Sequence, residues 1–337
     1  MRPLTLTRPK VLVPAAGSPL LDHVFRRLAV AGVDSALLVT MYLPEQVESW
    51  ARAADRYGID IDLIHQPRDR YGTGAATLTA RDWVDGSAFL MTFGDVLASE
   101  SHYPALVGLH KRHPDATILS AHREEMVRGG LVQIDGDGIL EAIIERPSAP
   151  VPSGLINAGI FLLQPGIFDD LQDLAPSPRG EYELTDVFQK MAEEGRAPKV
   201  LETDDYWVNV SGGPEILEVQ RRVLDEWTSA ADGDGVFIEE GAEVSGDAEL
   251  RGPLRISAGA KVGAAHIGPY ASVGDGAHVD DGSALEECGV LPGAHVGSDC
   301  RLRYAIIGAG ARMADRARLW GEVDRTSILA DGEEHGT

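Results

Sequence analysis

The chain reads as an α/β domain built on a mostly parallel sheet, followed by a parallel β-helix. Three observations predict this. Apolar runs alternate with amphipathic stretches through residue 227, a Gly- and Asp-rich stretch interrupts them, and a six-residue aliphatic period then takes over.

The elements follow in order. SALLVTMY (Ser35–Tyr42) predicts a strand, and EQVESWARAADRYG (Glu45–Gly58) predicts a helix ending at its glycine. IDIDLIHQ predicts a second strand, TGAATLTARDWV a helix, and SAFLMTFGD a buried strand. This alternation implies βαβ units in a first domain spanning residues 1–227. TSAADGDG (Thr228–Gly235) reads as a linker. Beyond it, within residues 236–330, aliphatic residues recur every six positions: Ile238, Val244, Leu250, Ile256 and Val262. The phase slips by one and resumes at Ile267, Val273, Val279, Leu285 and Leu291, then slips to Val296 and Leu302, and again to Ile307 and Met313. One inward aliphatic per hexapeptide repeat, with Gly or Asp at the corners as in GPYASVGDGAHVDDGSA, marks a parallel β-helix.

With 337 residues the chain can bury two cores. Its formal charge of −23 argues against nucleic acid or an anionic membrane as partner, since both require a basic face. A small anionic substrate in a local basic pocket stays open. The longest apolar runs, Ala88–Phe93 and Ile160–Leu163, are far too short to span a bilayer, and no stretch reads as a signal peptide. Two cysteines, Cys288 and Cys300, make no disulfide framework and lack metal-ligand spacing, which fits free thiols in a cytoplasmic protein.

Several short stretches carry chemistry. Asp95 lies just beyond the strand of SAFLMTFGDV, where ligands of open α/β sheets bind, and a carboxylate there can hold Mg²⁺ against phosphate oxygens; a plain Gly-Asp turn is the alternative. HQPRDRYGTGAATLTA places Gly72 and Gly74 at a helix start with Thr77 where a dinucleotide fingerprint has its third glycine. It offers a tight turn, backbone donors and the Gln66 amide. GILEAIIERPSAPVPSGLINAGIF contains Glu145, Arg146 and Asn157; GEYELTDVF contains Glu183 and Asp186; DDYWVNVSGGPEILE contains Asn209. Taken singly these read as a strand-end turn, a helix cap and a loop.

In order, however, they resemble the sugar-1-phosphate nucleotidylyltransferases joined to a left-handed β-helix. RPLTLTRPKVLVPAAGSPLLDHVFRRLAVAGV resembles the first half of that family's N-terminal signature, its Pro-Lys included. FGDV is similar to its metal-binding Gly-Asp, ERP to Glu-Lys-Pro, LINAGIF to the sugar-binding Asn-Ala-Gly, and WVNVSGGP to Trp-x-Asp-x-Gly-Thr-Pro. The likeness covers nearly the whole chain and leans to the mannose-1-phosphate guanylyltransferase and glucose-1-phosphate nucleotidylyltransferase branches. It implies a Rossmann-like nucleotidyltransferase domain in which a sugar-phosphate oxygen attacks the α-phosphorus of a nucleoside triphosphate, expelling pyrophosphate. It further implies that Lys10 contacts the nucleotide phosphates and Asp95 holds Mg²⁺. Gln66, Gly72 and Thr73 would bind the nucleotide; Gly130, Glu145 and Asn157 the sugar; Arg146 its phosphate.

Three departures stand out. The family's opening strand and Gly-rich phosphate loop are missing, so Met1 is expected to be an internal methionine with about a dozen residues upstream, because losing a mid-sheet strand would unpair two neighbours. Asn209 replaces the second metal carboxylate, and an amide oxygen coordinates without contributing charge. Ser211-Gly212-Gly213 replaces Gly-Thr.

The resulting expectation is an Mg²⁺-dependent transferase, GTP-using by resemblance, acting on a hexose or cyclitol phosphate. A ligand-binding but inactive regulatory subunit is the alternative. Acyl transfer by His266, His278 or His295 is disfavoured, since scattered histidines on a repeat are more often surface residues. Flat β-helix faces and an open end need covering, so a homo-oligomer is expected.

Overall fold

A computed structural model describes residues 1–336 except 54–56, 124–128, 146, 148, 150, 152 and 232. The chain forms two compact units: Val24–Trp207, and Met1–His23 together with Val208–Thr337.

Within Val24–Trp207, strands β1 (Ser35–Thr40) and β2 (Asp60–His65) pair in parallel. Helix α1 (Pro44–Arg52) joins them and stops at Arg52, where Ala53 turns extended. That is short of the expected Gly58, and residues 54–56 lie outside the described ones. Helix α2 (Thr73–Thr79) follows, then β3 (Phe89–Thr92), which is half-buried along its length where a buried strand is expected. The main sheet adds β4 (Ala116–Arg123), β5 (Gly130–Ile134), β6 (Leu140–Glu145), β7 (Gly154–Leu163) and β8 (Lys199–Thr203). Its order is β8-β4-β7-β5-β6, with β3 on the second half of β7. The pair β4·β8 is parallel and the rest antiparallel, so this α/β sheet is mixed. Helices α3 (Ile167–Gln172) and α4 (Leu184–Glu193) cover it. They bury an aromatic core in which Phe161 meets Phe188 at 5.2 Å and Phe89 stacks on Phe168 at 5.4 Å.

The second unit is built on a parallel β-helix with three ladders of short strands. In one ladder Leu254, Ala271, Cys288 and Ala305 lie in register, and each coil is therefore 17 residues. The first step, Val236 to Leu254, is 18, and the last, Ala305 to Ser327, is 22. The one-residue slips in the aliphatic period are thus shortened corners, such as the five-residue step from Val262 to Ile267. One slip falls elsewhere than expected: Val290, in register with Val273 and Ile307, joins the core, while Leu291 is buried outside that column. Ile238, on the uncovered first coil, is 48% exposed.

Helix α5 (Gly213–Ala231) packs along this β-helix and runs four residues into the expected linker. Gln220 is its hub. Its Oε1 accepts from Ala16 N (3.2 Å) and Ser272 Oγ (2.6 Å), and its Nε2 donates to Tyr270 O (2.8 Å) and Cys288 O (2.9 Å). A tight hairpin at Pro14–Pro19, with Ala16 and Gly17 both at positive φ, is held by Arg255 donating to Ala16 O and Ser18 Oγ. Among the described residues no helix is long and apolar enough to cross a membrane.

Candidate active site

Three of the expected sugar-binding residues converge in the Val24–Trp207 unit. Gly130 pairs with Glu145 across β5 and β6. A Cβ at Gly130 would lie 3.0 Å from Glu145 Oε2 and 3.4 Å from Asn157 Cβ. The third residue is delivered by an irregularity in β7, whose register with β4 shifts between Asn157 and Phe161. Asn157 Oδ1 accepts from Gly159 N at 3.0 Å, and its Nδ2 is the group left to donate to a ligand. Gly159 takes φ +72°, and Phe93 N donates to its carbonyl at 3.0 Å. The Phe93 ring fills the space a Cβ would need, its Cδ2 standing 2.4 Å from that position. The bulge thereby clamps the turn after β3, and two residues on from Phe93 comes the half-buried Asp95.

A second group forms the expected nucleotide loop. Gly72, at φ +126°, lies so close to Tyr182 that a Cβ would stand 2.4 Å from its carbonyl oxygen. Tyr182 N donates to Tyr71 O, and Gly74 N donates to Tyr182 O, each at 2.8 Å. Thr73 Oγ1 accepts from Leu184 N at 3.0 Å, so it caps α4 from outside that helix. Gln66 Nε2 donates to Arg70 O (3.0 Å) and Gly72 O (3.2 Å). Both donors of this amide therefore shape the loop, and its carbonyl oxygen remains as acceptor.

Sequence reasoning gave the segment beside this loop no role past a helix cap. Glu183 reads as a helix cap, yet its side chain makes no capping bond. Instead it pairs with Arg179, while Tyr182 beside it holds the Gly72 loop. Burial pushes the Glu183 carboxyl above the usual range despite Arg179, and the charges of Glu181 and Glu145 push the same way. The only sequence signal was the position of GEYELTD between LINAGIF and WVNVSGGP.

Lys10 and Asn209 belong to the other unit. Lys10 opens a 3₁₀ turn (Lys10–Leu12) after Pro9 and is half-buried; Asn209 is exposed at the end of the strand Trp207–Asn209. Arg146 lies outside the described residues. The three β-helix histidines point outward and are engaged by adjacent coils: His266 with Glu249 (2.9 Å), His295 with Asp280 (2.8 Å), and His278 ring against ring with His295.

Among the described residues no group of three or more His, Cys, Asp or Glu forms a metal cage. Mg²⁺ ordinarily binds one or two carboxylates and completes its shell with phosphate oxygens and water. A single carboxylate such as Asp95 would fit an ion carried in on a triphosphate.

Residues 1–226 match the family described as Nucleotidyl transferase. The chain belongs to that family. Residues 250–334 of this nucleotidyl transferase match the GMPPB C-terminal domain. The chain is 32% identical over 254 residues to "Bifunctional protein GlmU" of Methanococcus maripaludis, an alignment covering 72% of this chain and 58% of that protein. It is 28% identical over 317 residues to "Glucose-1-phosphate thymidylyltransferase" of Streptomyces griseus, covering 91% and 88% respectively. Among solved structures it shares its fold with UDP-glucose pyrophosphorylase complexed with UDP-glucose, at TM-score 0.58 and 18% identity over 67% of this chain and 94% of that one.

Proposed function

We propose that this chain is a sugar-1-phosphate nucleotidylyltransferase, converting a nucleoside triphosphate and a sugar-1-phosphate to a nucleotide sugar and pyrophosphate. The convergence of Gly130, Glu145 and Asn157 beside the turn bearing Asp95 carries this reading. Glu145 and the Asn157 amide suit sugar hydroxyls, accepting and donating in turn. Arg146 would take the sugar phosphate. Lys10 would hold the triphosphate for in-line attack by the sugar-phosphate oxygen on the α-phosphorus as the bond to pyrophosphate breaks. Asp95 would hold Mg²⁺, with Asn209 as a neutral second ligand; when bound, the ion neutralises charge on the phosphate oxygens.

The acceptor oxygen of Gln66 supports a base that presents a ring N–H, which guanine, thymine and uracil do. We favour GTP, with a hexose or cyclitol phosphate as acceptor. In this reading residues 1–227 form the transferase part and 236–330 a left-handed β-helix that also mediates homo-oligomerisation, in the cytoplasm. Asn209 favours one other reading, a ligand-binding but inactive regulatory subunit, because an amide adds no charge to a metal site.

The test is pyrophosphate release from GTP, dTTP and UTP with mannose-1-phosphate, glucose-1-phosphate and a cyclitol phosphate in the presence of Mg²⁺. Turnover with any pair supports the transferase. Triphosphate binding without release supports the regulatory subunit, and the absence of both turnover and binding would sink both readings.

A further inference from the structure

We propose that the last coil of the β-helix is a positioning element for the two parts of the transferase site that its own unit carries, the Lys10 turn and the segment that follows Asn209. This rests on the roles given above to Lys10 and Asn209.

The first contact is made by Asp331. Acidic residues recur at the corners of this β-helix with one structural task, accepting a backbone N–H from the preceding coil. Asp281 Oδ1 accepts from Ala264 N at 2.7 Å, and Asp315 Oδ1 accepts from Ser298 N at 3.0 Å. Asp331 Oδ1 does the same for Ala309 N at 2.7 Å. Asp331 differs in its second oxygen. Oδ2 accepts from Thr7 Oγ1 and from the Arg8 guanidinium. These are the residues just before Pro9 and the turn that Lys10 opens. The ion pair is well shielded, with the Arg8 and Asp331 side chains 17% and 12% exposed, so solvent weakens it little.

The second contact comes from the same coil a few residues earlier. Gly213 stands shortly after Asn209, which ends its strand, and starts α5. A Cβ there would lie 2.8 Å from Thr326 Cβ and 3.1 Å from Ile328 Cδ1. This closeness gives a physical reason for glycine where the family pattern has a larger residue. The longer step from Ala305 to Ser327 supplies the chain that carries Thr326 to this position. One coil therefore braces both segments, and catalysis by positioning is sensitive to shifts of an ångström or less.

The experiment compares Asp331→Asn, Asp281→Asn, Gly213→Ala and Lys10→Ala in the full chain. Asp331→Asn keeps an oxygen for Ala309 N and removes the charge facing Arg8. Amide hydrogen exchange is read over residues 7–13 and 209–216, and turnover is read with the most active pair of the panel above. Asp331→Asn should speed exchange at residues 7–13 about tenfold and lower kcat about tenfold, leaving the KM for the sugar phosphate within twofold. Combined with Lys10→Ala it should cost no more than Lys10→Ala alone, since both act through one group. Gly213→Ala should speed exchange at 209–216 and lower kcat, whereas Asp281→Asn should do neither at either segment. If Asp331→Asn matches Asp281→Asn in exchange and kcat, or Gly213→Ala leaves residues 209–216 unchanged, the brace is overturned. A fully active Lys10→Ala would instead refute the role of Lys10, and the exchange data would still decide the brace.

Discussion

Replacing Gly159 by alanine tests the geometry of the candidate sugar site directly. The new Cβ would lie 2.4, 2.9 and 3.1 Å from three atoms of the Phe93 ring. That ring cannot simply withdraw, because it packs edge-on against Phe161 in the core at 6.0 Å. Holding a non-glycine residue at φ +72° costs about 1–2 kcal/mol, and overpacking a core adds about 1–3. The sum is roughly 2–5 kcal/mol, which for a unit of this size corresponds to a drop on the order of 5–15 °C in its unfolding midpoint. Phe93 and Asn157 are displaced together, since Phe93 N bonds Gly159 O and Gly159 N bonds Asn157 Oδ1. Turnover should fall at least about tenfold, because a misplacement near 1 Å can cost a factor of about a hundred. Thermal unfolding followed by circular dichroism and pyrophosphate release measure the two effects. A midpoint within about a degree of wild type, with unchanged turnover, would refute the claim that this bulge sets the site.

Other expectations are independent of substrate identity. Gln220→Ala should destabilise the discontinuous unit by about 2–4 kcal/mol, because four hydrogen bonds end on one buried side chain; a denaturant titration reads it. His102 and His110 are buried beside Thr203 and Thr117, and burial holds both below the ordinary imidazole value of 6.5 despite Asp205 and Asp115 nearby. The unfolded chain binds their protons more readily, so the stability they confer is complete above pH 6.5 and is lost as pH falls through the lowered values. His102→Gln should flatten the pH dependence of the unfolding midpoint in that window. Burial pushes the Cys288 and Cys300 thiols up, so a thiol reagent near neutral pH should label the native protein far more slowly than the denatured one.

What could be read from sequence is what repeats or keeps a fixed local spacing. The hexapeptide period gives the β-helix because each aliphatic faces the same narrow core, and even its slips have a counterpart in the shortened corners. It misplaces one corner, since Val290 and Leu291 are adjacent aliphatics and only pairing with Val273 and Ile307 decides between them. Glu145 and Asn157 were legible in motifs and Gly130 through the family resemblance, yet their meeting depends on the β7 bulge, which no local pattern announces. Gln220 looks like any exposed helical glutamine until Ala16, Tyr270, Ser272 and Cys288 surround it. Glu183 was hidden differently: its position at a helix start suggests a cap, and only the approach of Arg179 and Thr73 shows otherwise.

The division of the chain into a continuous middle and a unit assembled from both flanks sets an order of events during synthesis. Val24–Trp207 is one uninterrupted stretch and leaves the ribosome well before the C-terminal flank does. Residues 7 and 8 cannot, because Asp331 emerges more than 300 residues later. At about 5–20 residues per second they wait on the order of 15–60 seconds. Through that interval the segment bearing Lys10 lacks the last coil, and the middle of the chain is made before the two flanks can meet.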